Sequence, residues 1–338
     1  MSTKPRRSGR DRRDCLKHLL HAGWAASLAV HATAQAQTPL ASAEETWHDP
    51  SRKRDLLLRL RFPAVPGPWP VVLYSHGLGG SRDGGDAWGT TWQAAGVAVI
   101  HLQHPGSDTD VLRSSGLAGL RKAASAQQLL ARVADVRFVV DEVTRRHALP
   151  NSPWAASRME AIGLAGHSFG AQTVQALAGQ RFEAPASLHD PRLAAFVALS
   201  PNPGRNTLSI AEQFGAVERP FLCVTGSLDG DPLGLGTVGA RRASVFDGLP
   251  GAQRGLLWLD GADHMSFAGN AQQRIRRPGV FEREPIAQER EPKHHAVIAH
   301  VTALWWRAQM GVGAEIRSQA MNEMRQIVLP DTADRLQF

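Results

Sequence analysis

A serine with glycine two residues away on either side, Gly166-His167-Ser168-Phe169-Gly170, is the pattern in this chain that carries the most chemistry. A hydroxyl is a poor nucleophile until a base takes its proton, and an imidazole base needs a carboxylate to fix its tautomer. Both groups follow downstream, in the order serine, acid, histidine: Gly226-Ser227-Leu228-Asp229, then Gly261-Ala262-Asp263-His264. Asp229 is the favoured acid and Asp231 the alternative, because Asp231 precedes Pro232, which restricts its backbone. The glycines have a steric reason. A nucleophile at a sharp strand-to-helix turn stands in a strained conformation, and side chains at positions −2 and +2 would collide there. Attack on a carbonyl also needs donors aimed at the developing oxyanion. The Phe169 N–H, next after the nucleophile, is one candidate. The other is the Leu78 N–H in Ser75-His76-Gly77-Leu78-Gly79-Gly80, whose glycines permit close backbone approach. His76 reads as a structural residue of that loop.

These residues work only if secondary structure delivers them to one place. Short apolar runs at 69–74, 96–102, 161–165, 194–199, 220–225 and 255–259 predict strands buried on both faces, with an earlier pair at 44–47 and 55–62. Between them lie helical patterns. The clearest, 125–147, places Leu129, Leu130, Val133, Val136, Val140 and Val143 on one stripe, and Ser125 with Gln128 suits a capping box. A helix is expected over 171–177, directly after the serine, as a nucleophile turn requires. A late helix carries Val297, Ile298, Val301, Leu304 and Trp305, read as core. Alternation of this kind specifies an α/β fold, a mostly parallel central sheet with helices on both faces. Residues 186–192 and 201–218 could form a small cap over the carboxyl edge. Residues 37–338 read as one domain, with 313–338 as a C-terminal extension.

The loop Ser75-His76-Gly77-Leu78-Gly79 together with Gly166-His167-Ser168-Phe169-Gly170 resembles the α/β-hydrolase superfamily, and within it the platelet-activating-factor acetylhydrolase and dienelactone-hydrolase-like group. The resemblance covers most of residues 45–310. It implies the α/β-hydrolase fold, Ser168 as nucleophile, His264 as base, Leu78 and Phe169 as oxyanion donors, and no cofactor. Two departures matter. The acetylhydrolases carry their acid one strand earlier, where Leu199-Ser200-Pro201 offers no carboxylate, so Asp229 takes the role. Dienelactone hydrolases use a cysteine nucleophile, and here the position is serine. Both departures point to a general serine esterase that cleaves a small-molecule carboxylic ester through an acyl-enzyme. The alternatives are a catalytically inactive α/β-hydrolase-fold binding protein and a nucleotide-dependent oxidoreductase.

Gly234-Leu235-Gly236-Thr237-Val238-Gly239 is the motif behind that last alternative, with Asp260 at the end of the next strand as a ribose partner. Its placement is wrong, because a dinucleotide turn must follow its strand directly to put pyrophosphate on the helix N-terminus. His294, His295 and His300 lack a cysteine or carboxylate at ligand spacing and read as solvated helix positions, so no metal is expected.

The net charge of +7 is uneven. Residues 1–36 hold seven Lys/Arg against two acids, which leaves 31 bases and 29 acids in the rest of the chain and no basic stripe for nucleic acid. Those first residues run basic, apolar, then small, ending Ala34-Gln35-Ala36, the layout of a cleaved export signal. Asp11-Arg12-Arg13-Asp14-Cys15-Leu16-Lys17 resembles a twin-arginine signal, with Cys15 where a bulky apolar residue is usual. A periplasmic or secreted protein without a lasting membrane anchor is expected. After cleavage Cys223 is the single cysteine, read as core filler.

Overall fold

A computed structural model describes residues 1–2, 41–184, 187–204, 207–231, 238–270 and 283–338. The rest of the segment read as an export signal and the glycines at 234 and 236 lie outside the described residues. Each expected run forms a strand, β1 (Ala41–Asp49), β2 (Arg54–Phe62), β3 (Trp69–Ser75), β4 (Ala98–Leu102), β5 (Ser157–His167), β6 (Leu193–Leu199), β7 (Phe221–Leu228) and β8 (Arg254–Asp263), and β9 (Arg335–Gln337) is a further strand that the sequence did not predict. They make one sheet in the order β1-β2-β4-β3-β5-β6-β7-β8-β9. The ladders from β4 through β8 are parallel, and antiparallel pairs β1–β2, β2–β4 and β8–β9 close the two ends.

Alternation along the strands divides the apolar residues between two cores. Val71, Leu73, Ile162, Leu164, Phe196 and Cys223 face one side, under helices α3 (Ala126–His147), α4 (Phe169–Ala178) and α6 (Gly239–Gly248). Val72, Tyr74, Ala165, Val197, Leu222 and Val224 face the other, under α1 (Asp86–Ala94), α7 (Pro285–Met310) and α8 (Ala314–Arg325). A period of 2 in a run apolar at every position is what a sheet covered on both faces demands. Helix α2 (Thr109–Ala123) breaks at Gly116, whose φ is 58°. Short α5 (Ile210–Phe214) puts Phe214 into the first core, together with Leu188 and Val217 from the segments read as a cap. Among the described residues no helix is long and apolar enough to cross a membrane.

Three local readings need correction. Ser125 caps α3 by accepting from the Gln128 N–H, but Gln128 Oε1 is buried without a partner, so the reciprocal arm of a capping box is missing. His294 is not solvated. It is 1% exposed on α7, and burial, ahead of the opposing pull of Asp334, keeps its pKa low. The C-terminal extension is part of the fold, with Ala320 and Met324 of α8 in the second core and β9 paired on the edge of β8.

The strand order sets where a ligand can sit. The order in which strands are added reverses around β3, whose parallel neighbours are β4 on one side and β5 on the other. Loops leaving the carboxyl ends of β3 and β5 therefore diverge, and the crevice between them is where open α/β sheets bind ligands.

Candidate active site

Strand β5 ends at His167 and α4 starts at Phe169, so Ser168 alone makes the turn, with φ 56° and ψ −112°. For a non-glycine residue that conformation costs on the order of 1–3 kcal/mol. Its N–H donates to the Leu199 carbonyl of β6 at 3.0 Å, which holds the bend open. The flanking glycines are obligatory. A Cβ on Gly170 would lie 1.9 Å from the Ser75 carbonyl oxygen, and one on Gly166 would lie 2.5 Å from the Gly170 oxygen. Elbow and β3 loop thus pack backbone against backbone.

The Ser168 hydroxyl donates to His264 Nε2 at 2.9 Å, and His264 Nδ1–H donates to Asp229 Oδ1 at 2.8 Å. Oδ1 of a carboxylate only accepts, which assigns the His264 tautomer. Asp229 follows β7 directly and is fully buried. His264 opens a single 3-10 turn after β8, capped by Asp263, whose carboxylate accepts from the Ser266 N–H at 2.9 Å and from Arg283 Nε at 2.8 Å. Of the two acids that the sequence left open, Asp229 is the one that meets the ring.

Oδ1 of Asp229 has two further neighbours that the sequence reading missed. The Ser200 hydroxyl donates to it at 2.8 Å and also lies 2.9 Å from His264 Nδ1. Arg242 Nε sits 3.0 Å away, both side chains being buried. Oδ2 accepts from the Thr225 hydroxyl at 2.8 Å. Burial alone would raise the Asp229 pKa. The Arg242 charge, followed by His264 and Thr225, outweighs it and holds the carboxyl below its usual range. Ser200 stands directly after β6, at the position where the acetylhydrolase pattern has its carboxylate and this chain has a hydroxyl. Arg242 had no signal, since one arginine in a helical stretch reads as a solvated face.

Phe169 is the first residue of α4, so its N–H is among those a helix leaves without an internal partner. The β3 loop lies alongside. A Cβ on Gly77 would be 3.4 Å from Ser168 Cβ and 3.0 Å from His167 Nδ1. Leu78, the second expected donor, follows Gly77 in that loop. His76 is buried. Its Nδ1–H donates to the Gly77 carbonyl at 2.6 Å, and its Nε2 accepts from the His104 N–H at 3.0 Å. His167 Nε2–H donates to the His264 carbonyl at 3.0 Å, and burial, then the neighbouring His264, lowers its pKa to about 3. These two rings are neutral scaffold.

Beneath the loop lies another residue without a sequence signal, Arg132 of α3, 0% exposed. Its Nη1 donates to the His76 carbonyl at 2.6 Å, its Nε to Ser107 Oγ at 2.9 Å, and its guanidinium lies 4.5 Å from the centre of the Phe169 ring. Behind it, the Ser75 hydroxyl, His104 and Asp135 form a second Ser–His–Asp chain at 2.9 Å per link. All three are fully buried, and burial first of all lowers the His104 pKa to about 4. No substrate reaches them.

The other residues singled out in the sequence do not join the site. Asp260 accepts from Ser227 at 2.9 Å and pairs with Arg290 at 3.2 Å. His295 packs edge-on against Trp88, and His300 is exposed. Among the described residues no group of three His, Cys, Asp or Glu is placed to hold a metal ion. Cys223 is buried in β7, where burial raises its thiol pKa.

No protein-family model and no curated protein sequence matches this chain. Solved structures do. A ferulic acid esterase from Streptomyces cinnamoneus superposes with a TM-score of 0.56 at 19% identity, over 80% of this chain and 90% of that one. A dienelactone hydrolase from Anabaena variabilis gives 0.49 at 17%, over 80% and 99%. The fold is that of the α/β hydrolases.

Proposed function

We propose that this protein is an exported serine hydrolase of carboxylic esters. His264 takes the Ser168 proton as the Oγ attacks the acyl carbonyl. Asp229 keeps His264 oriented and balances the imidazolium, while the Phe169 and Leu78 amides receive the oxyanion. The alkoxide leaves with the proton from His264. A water, deprotonated by the same ring, then releases the acyl group. The observation that carries this reading is the unbroken hydrogen-bond chain from a strained, glycine-flanked serine through His264 to a buried carboxylate. An inactive binding protein would have no use for a strained nucleophile, and the glycine motif at 234–239 stands too far after β7 for a dinucleotide turn.

The test is hydrolysis of p-nitrophenyl acetate and a panel of esters of graded acyl length, with a feruloyl ester included because of the activity named for one structural neighbour. Ser168→Ala should lower turnover by at least about 10³-fold with folding intact. A fluorophosphonate should add one mass increment at Ser168. Wild-type turnover retained in Ser168→Ala refutes the assignment. Export rests on residues 1–36, and a mature N-terminus at Gln37 in periplasmic or culture fractions is its expected signature.

A further inference from the structure

We propose that Arg132 is a positioning residue that aims the Leu78 N–H at the oxyanion, an inference resting on the esterase reading. A trans peptide points its C=O and its N–H in opposite directions. Whatever fixes the Gly77 carbonyl therefore fixes the Leu78 N–H. Three donors converge on that carbonyl: His76 Nδ1–H at 2.6 Å, the Gly80 N–H at 3.1 Å and Arg132 Nη2 at 3.5 Å. Arg132 also holds the preceding peptide through the His76 carbonyl at 2.6 Å. The Leu78 N–H of the same peptide therefore points away from these donors, in a loop whose Gly77 packs against Ser168.

The same guanidinium locks the loop to its neighbour. It meets Ser107 at both the hydroxyl (2.9 Å) and the carbonyl (3.3 Å), and that carbonyl accepts from the Gly79 N–H at 2.9 Å. Its hydrogen-bond acceptors are hydroxyls and carbonyls. The carboxylates that stabilise its charge, Asp135 and Asp108, act through space, while burial lowers its pKa to about 9. A cation held by neutral groups, under the loop and against the Phe169 ring, adds a fixed positive field where negative charge develops.

The experiment compares wild type with Arg132→Gln and Arg132→Lys, using p-nitrophenyl acetate as substrate and an aryl trifluoromethyl ketone, which serine captures as a tetrahedral oxyanion. The expected result is a 10²- to 10³-fold fall in kcat with KM within about threefold, and an equal fall in affinity for the ketone. Arg132→Lys, which retains the charge and can reach one carbonyl, should recover part of both losses and serves alone if Arg132→Gln does not fold. A purely structural role would lower the folded fraction without selecting between substrate and ketone. A folded variant with kcat within threefold, or with unchanged ketone affinity, overturns the proposal. If wild type itself neither turns over esters nor binds the ketone, the esterase reading fails and takes this inference with it.

Discussion

Asp229→Asn isolates the charge of the buried carboxylate from its shape. Three donors, from His264, Ser200 and Arg242, converge on Oδ1, and one, from Thr225, meets Oδ2. A carboxamide placed there turns its oxygen to the three donors and its NH₂ to Thr225, whose hydroxyl rotates to accept. The His264 tautomer is therefore retained and only the negative charge is lost. Two unit charges about 4 Å apart at an effective dielectric of about 20 interact by about 4 kcal/mol, equivalent to about a 10³-fold loss in the rate of forming the imidazolium. The same change strips Arg242 of its buried counter-ion, which costs about 3–5 kcal/mol of folding stability. The assay is kcat/KM on a chromogenic acetate, paired with urea midpoints for Asp229→Asn and Asp231→Asn. The expected pattern is about a 10³-fold loss with a lower midpoint for the first, and activity within about threefold of wild type for the second. A loss below tenfold in folded Asp229→Asn, or an equal loss in Asp231→Asn, refutes the reasoning.

Gly170→Ala should destabilise the fold by at least about 3 kcal/mol, because its methyl collides with the Ser75 carbonyl at 1.9 Å and the clash is with backbone. Gly251→Ala, where a Cβ meets nothing within 4 Å, is the neutral control in the same thermal melts, and equal Tm values for the two variants would contradict the packing described. Acid should unfold the protein through its neutral buried rings. Burial is the first cause in each of His101 (about 3), His104 (about 4) and His167 (about 3), with His76 lowered in the same sense. Folded pKa values below the unfolded value of about 6.5 mean stability that is whole above that pH and lost as pH falls toward 4. Each ring with a value contributes about 2 kcal/mol of loss between pH 7 and pH 5. Urea midpoints that do not move between those pH values would refute the burial of these rings.

Most of the strands were legible as short apolar runs, most of them ended by Gly, Ser or His, and their order made the serine, acid and histidine collinear with β5, β7 and β8. The site groups that escaped notice share a property: their identity is polar but their placement is internal. Ser200, Arg132 and Arg242 lie within 4% exposure, yet nothing local in the chain marks them off from surface residues. His294 misled in the same way: it is 1% exposed on α7, within reach of the Asp334 charge. Strand β9 is three residues long, too short for periodicity to register.

The two hidden arginines answer one problem. A site built on loops turns carbonyls away from any ladder, and buried carbonyls without donors are costly. Arg242 takes the carbonyls of Asp229 (2.9 Å), Ser200 and Pro201 (3.2 Å each) and Gly230 (3.0 Å). Arg132 takes those of His76, Gly77 and Ser107. One guanidinium supplies five donors in a rigid fork, so each covers a loop that several separate side chains would otherwise have to satisfy. They project from α6 and α3, helices packed on the same face of the sheet. That face therefore sets the acid loop and the oxyanion loop together. The nucleophile turn is set by β5 and by Gly166 and Gly170, which let its backbone pack on that of Ser75 and His76. Removing the Arg132 guanidinium therefore takes donors from the carbonyls of the oxyanion loop and leaves both hydrogen bonds of the Ser168–His264–Asp229 chain in place.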